Sequence, residues 1–262
     1  MGGVDNSAKG GGPGIPTGPA VVIPTYNESE NIIRLVREIF ALPGGVHCVV
    51  VDDNSPDGTG PLLDSEAAIE PRLHVVHRPA KLGLGTAHIA GIRRAAELGL
   101  DPIGTMDADF SHHPRYIPDL LKGLKDADMM IGSRYVPGGG TVDFKLHRRM
   151  LSRGANGFAR TLLGLTANDC TAGFRFYRRE VLASIDLDAI FSNGYSFLIE
   201  MLFNVQSKGW KVGETPISFE DRREGVSKIS RKEIGKAIYT VVRLFAQRGR
   251  VRRGVPRPVA AR

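Results

Sequence analysis

The sequence predicts a single α/β domain in which helices cover both faces of a mostly parallel β-sheet. Two observations predict this fold class. First, short runs rich in Val and Ile alternate with longer segments of helical periodicity through the first half of the chain, as they do in βαβ units. Second, 262 residues are enough for one domain with a full core and few for two.

The first half of the chain contains five predicted strands and three predicted helices. Continuous apolar runs predict buried strands at 20–24, 47–53, 73–77, 103–107 and 128–134. Apolar residues three and four positions apart predict helices over 28–40, 85–98 and 114–124. Asn27 and Glu30 have the spacing of a capping box, which would start the first helix. Because ligands bind beyond the carboxyl ends of parallel strands, functional residues are expected there.

The second half is predicted to hold helices over 145–163 and 196–207, a strand over 211–219 and a basic amphipathic helix over 231–248. The apolar positions of this last helix fall on one face, at Ile234, Ile238, Val241, Val242 and Phe245. A surface helix packed on the domain is the preferred interpretation, and a helix lying in a membrane interface is the alternative. We assign residues 1–18 to a flexible tail, 19–230 to the main domain and 249–262 to a basic tail.

Composition limits the location and the partners. No apolar stretch reaches the roughly 18–20 residues that span a bilayer, and the N-terminus lacks the apolar core of a signal peptide. Two cysteines without CxxC spacing favour a reducing, cytoplasmic setting. Residues 222–262 contain 13 Lys and Arg against 2 Glu. Such a basic segment usually meets phosphates, whether in a lipid, a pyrophosphate or a nucleic acid.

A pair of carboxylates is the main candidate for a metal site. Asp107, Ala108 and Asp109 directly follow the apolar run PIGTM. In extended backbone, residues i and i+2 project to the same side, so both carboxylates can face one ion. Hard oxygen ligands suit Mg²⁺ or Mn²⁺, which bind through one or two carboxylates plus substrate phosphates. An ordinary pair of exposed Asp residues in a loop is the alternative.

Polar residues also follow the first two predicted strands. Residues 52–58 (DDNSPDG) have the composition of a turn. Asp52 and Asp53 point to opposite sides in extended backbone, so only one of them can accept hydrogen bonds from a nucleobase or a ribose. After the first strand, Tyr26 could offer an aromatic face to a base and Glu28 a carboxylate to a ribose.

Cations lie at predicted strand ends and in the loops beyond them, at Arg134, Arg148, Arg149, Arg222 and Lys228. Each of them taken alone is more often a surface charge than a ligand. A pyrophosphate leaving group and a lipid phosphate are both anionic, so several cations would be needed to hold the two near each other.

Eight segments together resemble the family-2 glycosyltransferases of GT-A (Rossmann-like) fold, and most closely the dolichyl- and polyprenyl-phosphate mannose synthases. The matching text is IPTYNESENI, VVDDNSPDGTG, RPAKLGLGTAHIAGI, MDADFSHHP, IGSRYVPGGG, SRGANGFARTLLGL, DCTAGFRFYRREVL and FEDRREGVSK. The segments occur in the family's order and span roughly residues 19–230. The first two segments and MDAD are shared widely among family-2 enzymes, whereas SHHP, GSRYV and RREGVSK are more specific to the phosphoprenol synthases.

The resemblance implies an inverting, metal-dependent transfer of mannose from GDP-mannose to a polyprenyl monophosphate, with Mg²⁺ or Mn²⁺ as the cofactor. It implies a nucleoside site lined by Pro24, Tyr26, Glu28, Val51 and Asp53. The remaining donor contacts would come from Asp107, Ala108, Asp109, Arg134, Arg222 and Lys228, with Asp107 and Asp109 next to the metal. Among these, the implied catalytic residues are Asp109, Arg134, Arg222 and Lys228.

The resemblance also implies an acceptor site at which Arg148 and Ser152 hold the lipid phosphate. One position departs from the family pattern. Ser111 stands where some relatives carry Gln two residues after the second Asp, so water is expected to replace a metal ligand from that side chain. A lipid acceptor implies work at the cytoplasmic surface of a membrane. Either a separate membrane-anchoring protein or the basic C-terminal helix would hold the enzyme there.

Three rival functions remain open at the level of sequence. A glucosyl or other sugar transferase to polyprenyl phosphate would keep the fold and change the sugar. A nucleic-acid-binding protein would explain the basic C-terminus but leaves Asp107 and Asp109 without a purpose, so no nucleic-acid partner is expected. A sugar-nucleotide-binding protein without catalysis is the third.

Overall fold

The computed structural model describes residues 18–142, 146–220 and 231–251. Their strands are β1 (Ala20–Thr25), β2 (His47–Asp52), β3 (Leu73–His77), β4 (Ile103–Thr105), β5 (Met129–Ser133), β6 (Gly140–Val142), β7 (Arg175–Tyr177), β8 (Val212–Pro216) and β9 (Ser218–Glu220). Their α-helices are α1 (Ile32–Phe40), α2 (Thr59–Ala67), α3 (Leu84–Glu97), α4 (Ile117–Gly123), α5 (Leu146–Leu163), α6 (Arg179–Ala183), α7 (Tyr195–Ser207) and α8 (Arg231–Val251). Seven strands form one sheet in the order β3-β2-β1-β4-β7-β5-β8, and β6 pairs with β9 in a small second sheet.

Alternation along the strands divides the core into two layers. Val21 and Ile23 of β1 pack in one apolar cluster with residues of α1 and α4, whereas Val22 packs in the other with residues of α3 and α7. Successive strand residues point to opposite faces, so a strand buried on both faces is apolar at every position. This confirms the mostly parallel sheet with helices on both faces; only β7 runs antiparallel to its neighbours.

The direction in which successive strands are added to the sheet reverses between β3 and β4. Strands β1, β2 and β3 pair in parallel on one side, and α3 then carries the chain back so that β4 pairs with the other side of β1. In open α/β sheets, ligands bind at the carboxyl ends of the strands where such a reversal occurs. The segments that leave β1 and β4 here are 26–31 and 106–113.

Two local predictions are wrong. Helix α1 begins at Ile32 behind Asn31, and the Asn31 side chain makes no capping hydrogen bond. Asn27 instead adopts a left-handed backbone (φ 60°) and donates its N–H to the Ser55 hydroxyl, because it forms a turn against the loop after β2. The predicted strand 211–219 is divided at buried Ile217, since β8 pairs with β5 and β9 pairs with β6.

Helix α8 packs on the domain, as the preferred interpretation predicts, and also leaves apolar side chains exposed. The side chain of Ile234, one of the predicted apolar positions, lies outside the described residues. Val241 and Leu244 are buried in the core, and the Arg243 guanidinium lies 3.8 Å from the centre of the Phe191 ring. Ile238, Val242 and Phe245 remain about half exposed and share one face, because they are spaced by four and three residues. The helix runs to Val251, three residues beyond the predicted boundary at 248. Most of the predicted tails, 1–17 and 252–262, lies outside the described residues.

Within the described segments, every helix is too short or too polar to cross a membrane.

A close approach of α3 to the sheet predicts a stability effect. A Cβ atom at Gly91 would lie 2.2 Å from Val22 Cγ1 and 3.0 Å from Val51 Cγ2. We expect Gly91→Ala to lower the free energy of unfolding by about 1–3 kcal/mol through overpacking, measured by urea denaturation. The matched control is Gly235→Ala on α8, where the new Cβ meets no described atom within 4 Å and better helix propensity adds up to about 1 kcal/mol. Equal effects of the two substitutions would contradict the packing argument.

Candidate active site

The two carboxylates of the predicted metal motif lie in the loop after β4. Asp107 and Asp109 follow β4 by two and four residues, and both are partly exposed. Asp109 Oδ1 accepts hydrogen bonds from the Ser111 hydroxyl (2.6 Å) and from the Ser111 N–H (3.0 Å). Ser111 therefore helps to fix the orientation of the second carboxylate.

A buried histidine accepts a hydrogen bond from the backbone of the first aspartate. His112 Nδ1 accepts the backbone N–H of Asp107 at 3.2 Å and lies 3.8 Å from Asp107 Oδ2. The imidazole packs against the rings of Phe174 and Phe219 at 5.3 Å between ring centres. Burial lowers the pKa of His112, although Asp107 and Asp109 oppose that shift. Because Nδ1 is an acceptor in this arrangement, the neutral ring carries its proton on Nε2.

The donor set fits a divalent ion that also binds a substrate. The described residues contain no cluster of three or more His, Cys, Asp or Glu side chains that could hold an ion by themselves. Two carboxylates at a strand exit match the preference of Mg²⁺ and Mn²⁺ for oxygen ligands completed by substrate phosphates and water. Asp107 and Asp109 are thus the residues that could hold the ion.

Residues of the loops after β1, β2 and β3 contact one another at the same edge of the sheet. Lys81 Nζ lies 3.7 Å from the centre of the Tyr26 ring, and Glu28 accepts a hydrogen bond from the Asn31 amide at 3.1 Å. Asp57 binds the N–H of Ser29 and the hydroxyl of Thr59. Burial alone would raise the pKa of Asp57, but these hydrogen bonds outweigh it and lower the pKa to about 2. The two loops are therefore joined to each other through one carboxylate.

The two adjacent aspartates after β2 have different partners. Asp52 accepts from the hydroxyls of Thr25 and Ser55, which closes the turn after the strand. Asp53 is 5 % exposed and binds Arg78 through both oxygens, at 2.6 and 2.8 Å. Their side chains separate, as the alternation predicts. The residue expected to contact the nucleoside is therefore already one half of a buried ion pair.

The other residues predicted to line the nucleoside site differ in their exposure to solvent. Pro24 is partly exposed at the end of β1. Val51 has no exposed surface and lies beneath α3, opposite Gly91. Ala108 is 3 % exposed between the two carboxylates.

Arg134, the cation after β5, is also paired. Its guanidinium binds both oxygens of Asp169 at 2.7 Å and the Thr171 hydroxyl at 2.9 Å. The Asp169 side chain is fully buried and that of Arg134 is 9 % exposed. Burial alone would raise the pKa of Asp169, but Arg134 outweighs it and lowers the pKa. The guanidinium lies 5.3 Å from the centre of the Phe219 ring, the same ring that contacts His112.

Both predicted acceptor residues, Arg148 and Ser152, lie on α5. Ser152 Oγ accepts a hydrogen bond from the Tyr135 hydroxyl at 2.7 Å. Arg148 belongs to α5, but its side chain lies outside what the structure describes, and so do Arg222 and Lys228. The structure thus connects Asp107 to Arg134 through His112 and Phe219. Ser152 is hydrogen-bonded to Tyr135, the residue that follows Arg134.

Sequence reasoning missed the partners of these residues, namely Arg78, His112, Tyr135 and Asp169. Arg78 lies one residue beyond a predicted strand, and this position at the carboxyl end of the strand could have marked it as a candidate site residue. Asp169 lies 35 residues from Arg134, and no local pattern reports a contact across that separation.

Comparison with known proteins places this site in a family. The model of glycosyl transferase family 2 matches residues 20–186, a range that includes β1, β4 and both carboxylates. The chain belongs to that family, and it is a glycosyltransferase by class.

Two curated relatives cover most of the chain. The undecaprenyl-phosphate mannosyltransferase of Micrococcus luteus is 46 % identical over 223 residues, which are 85 % of this chain and 91 % of that protein. The polyprenol monophosphomannose synthase of Mycolicibacterium smegmatis is 46 % identical over 235 residues, 89 % of this chain and 88 % of its own length.

Solved structures agree on the fold. Glucosyl-3-phosphoglycerate synthase from Mycobacterium tuberculosis, crystallised with Mn²⁺, UDP-glucose and phosphoglyceric acid, superposes with a TM-score of 0.60 at 20 % identity. The match covers 91 % of this chain and 80 % of that one. A further mycobacterial protein gives a TM-score of 0.64 at 20 % identity, covering 91 % of this chain and 75 % of its own. The predicted GT-A fold is thereby confirmed.

The Arg134–Asp169 pair predicts a pH-dependent stability effect. We expect Asp169→Asn to cost about 3–5 kcal/mol of unfolding free energy at pH 7, because it leaves the Arg134 charge buried and unpaired. The lowered pKa means that the wild-type carboxylate stabilises the fold above about pH 4 and loses that contribution in more acidic solution. The difference between the two proteins should therefore shrink as the pH falls, in urea titrations at several pH values.

The matched control is Asp188→Asn, because Asp188 pairs with Arg93 on the surface, at 85 % and 47 % side-chain exposure. An exposed pair contributes at most about 1 kcal/mol. A similar cost for both substitutions would contradict the role assigned to burial.

Proposed function

We propose that this enzyme transfers mannose, with inversion, from GDP-mannose to a polyprenyl monophosphate at the cytoplasmic surface of a membrane. The observation that carries the proposal is the position of two carboxylates, Asp107 and Asp109, directly after β4, which pairs in parallel with β1, the strand that leads to Tyr26 and Glu28. Two relatives that are 46 % identical over most of the chain and are named for mannose transfer to such lipids support the choice of sugar and acceptor.

The donor would lie across the carboxyl ends of β1 and β4. Tyr26 and Glu28 would face the nucleoside from one side, and Asp107 and Asp109 would face the pyrophosphate from the other. The Arg78–Asp53 pair would hold the loop after β2 rigid, because both partners are under 10 % exposed. Arg222 and Lys228, which the structure does not describe, remain the proposed cations for the donor phosphates.

The chemistry needs no strong general base. A phosphate monoester has its second pKa near 6, so the acceptor oxygen is already mostly ionised at pH 7. That oxygen attacks the anomeric carbon, a new C–O bond forms, and the bond from that carbon to the pyrophosphate oxygen breaks. One negative charge passes from the lipid phosphate to the departing GDP, and no proton is consumed. Positioning and electrostatic stabilisation then supply the rate enhancement.

Asp107 and Asp109 are proposed to hold Mg²⁺ or Mn²⁺. A bound divalent ion would supply charge neutralisation for the leaving diphosphate. Ser111 keeps Asp109 oriented through the 2.6 Å hydrogen bond, and His112 positions Asp107 through its backbone N–H. The Mn²⁺ found with glucosyl-3-phosphoglycerate synthase supports a divalent ion in this fold.

The first test measures transfer of radiolabelled mannose from GDP-mannose to a short polyprenyl phosphate, with and without a divalent metal. We expect label in the lipid phase only when metal is present. Asp109→Ala should reduce the rate at least about a hundredfold, since it removes charge stabilisation needed in the transition state. The matched control is Asp126→Ala, which removes an exposed carboxylate and should leave the rate unchanged.

Three results would revise the proposal. Transfer from UDP-glucose but not from GDP-mannose would change the sugar and keep the site. Net retention in the product would contradict the direct attack. Donor binding without transfer to any acceptor, even with membranes present, would favour a sugar-nucleotide-binding protein.

The half-exposed face of α8 is proposed to rest on an anionic membrane surface. Its three apolar side chains, Ile238, Val242 and Phe245, occur in a chain of net charge +7, which is complementary to anionic headgroups. We expect purified protein to float with vesicles of phosphatidylglycerol and phosphatidylcholine. Replacing the three residues with Ser should weaken binding at least about tenfold, because apolar burial is lost.

The matched control replaces Leu62 and Ile69, two exposed apolar residues of the α2 region, with Ser. Flotation of that variant should equal flotation of the wild type. Absence of vesicle binding by the wild type would favour a separate membrane-anchoring protein instead.

A further inference from the structure

A cavity of about 430 Å³ lies between the loop after β5 and helix α5. Its size falls within the range of small-molecule sites. It is lined by Arg134, Tyr135, Val136, Pro137, Gly139, Arg153, Asn156, Gly157, Arg160 and Asn168. Helix α5 supplies Arg153, Asn156, Gly157 and Arg160 from a single face, because these residues are spaced by three and four positions.

The electrostatics of the cavity favour an anion. Three arginines line it, and none of its lining residues is an Asp or a Glu. Arg134 is neutralised by Asp169. Arg153 and Arg160 form no ion pair with any carboxylate in the described part of the chain.

Arg160 gives the more specific indication of a bound anion. Its Nε–H is buried and has no hydrogen-bond partner among the described residues. A buried donor without a partner costs about 1–3 kcal/mol, and more when the group is charged. A phosphate oxygen in the cavity would remove that cost, since guanidinium and phosphate match in charge and geometry.

The cavity adjoins the proposed reaction centre. Arg134 lies in its wall and contacts the Phe219 ring, which contacts His112, the residue that supports Asp107. The Tyr135 hydroxyl connects the same wall to Ser152. Val136 and Pro137 give the lining an apolar part, and Met150, 66 % exposed, precedes Arg153 by one turn of α5. A ligand with a phosphate head and an apolar tail matches this arrangement.

We propose that Arg160 and Arg153 bind the phosphate of the prenyl acceptor in this cavity, with the prenyl chain leaving past Val136 and Met150. The proposal rests on the proposed function, and it adds two binding residues to Arg148 and Ser152. Arg160 supplies the buried donor, whereas Arg153 supplies charge from a more exposed position.

The test measures equilibrium binding of farnesyl phosphate to the full chain without donor, for the wild type, Arg160→Gln, Arg160→Lys and Arg153→Gln. We expect Arg160→Gln to weaken binding about tenfold to a hundredfold, the effect of losing a hydrogen bond to a charged group. Arg160→Lys should recover only part of the loss, because it keeps the charge without the planar fork. The acceptor KM should rise in parallel, and the KM for GDP-mannose should not change.

The matched control is Arg94→Gln, which removes an arginine from the exposed face of α3, where it pairs with Glu97, and should bind as the wild type does. Farnesol and inorganic phosphate serve as comparison ligands. Inorganic phosphate binding as tightly as farnesyl phosphate would overturn the lipid assignment in favour of a site for free anions. Unchanged farnesyl phosphate affinity in a folded Arg160→Gln protein, checked by circular dichroism, would overturn the proposal.

Failure of the cavity assignment and failure of the proposed function give different results. An enzyme that transfers mannose equally well with Arg160→Gln keeps the function and loses the cavity assignment. Binding of farnesyl phosphate that depends on Arg160, without mannose transfer, keeps the cavity assignment and loses the function.

Discussion

The parallel pairing of β1 with both β2 and β4 is the constraint on which the site depends. The register joins Ala20 to His47 on one side and to Ile103 on the other, so all three strands end at the same edge of the sheet. The loop that holds Tyr26 and Glu28 and the loop that holds the two carboxylates therefore leave neighbouring strands at the same edge, although about 80 residues separate them in sequence. Backbone hydrogen bonds and two-sided burial hold this edge, and the loops beyond it are free to carry chemistry.

Local sequence patterns predict the parts of the fold that are locally determined. The apolar runs of β1, β2 and β3 and the helical spacing of α3 are each visible in one window. Strand β7, which is three residues long and antiparallel, shows no such pattern. Arg175 within it is fully buried and donates to the carbonyls of Ala172, Leu198 and Cys170. Composition would assign that arginine to the surface, because only the assembled fold supplies those carbonyls.

The residues of the candidate site also divide into those with a local sequence pattern and those that depend on the assembled fold. Asp107 and Asp109 could be singled out from sequence because two carboxylates two residues apart directly after an apolar run are a local pattern, and their role as metal ligands stays a prediction. The buried ion pairs could not be singled out in this way, since Asp53 and Arg78 are 25 residues apart and Arg134 and Asp169 are 35 apart. Resemblance to a family identifies which residues recur at a site, but not which charges are already satisfied. Only the side-chain contacts in the folded structure show which charged residues are already paired.

The arginines that are paired with buried carboxylates and the arginines that are not indicate different roles. Arg78 and Arg134 each bind both oxygens of a buried carboxylate, which fixes their loops and leaves little charge for a substrate. Arg153 and Arg160 line the cavity without such a carboxylate among the described residues. The proposed transfer would need a rigid frame as well as cations that remain available, and one guanidinium cannot fully serve both needs. In the proposed reaction the buried pairs would build the frame, and the arginines of α5 would supply the charge that an anionic acceptor requires.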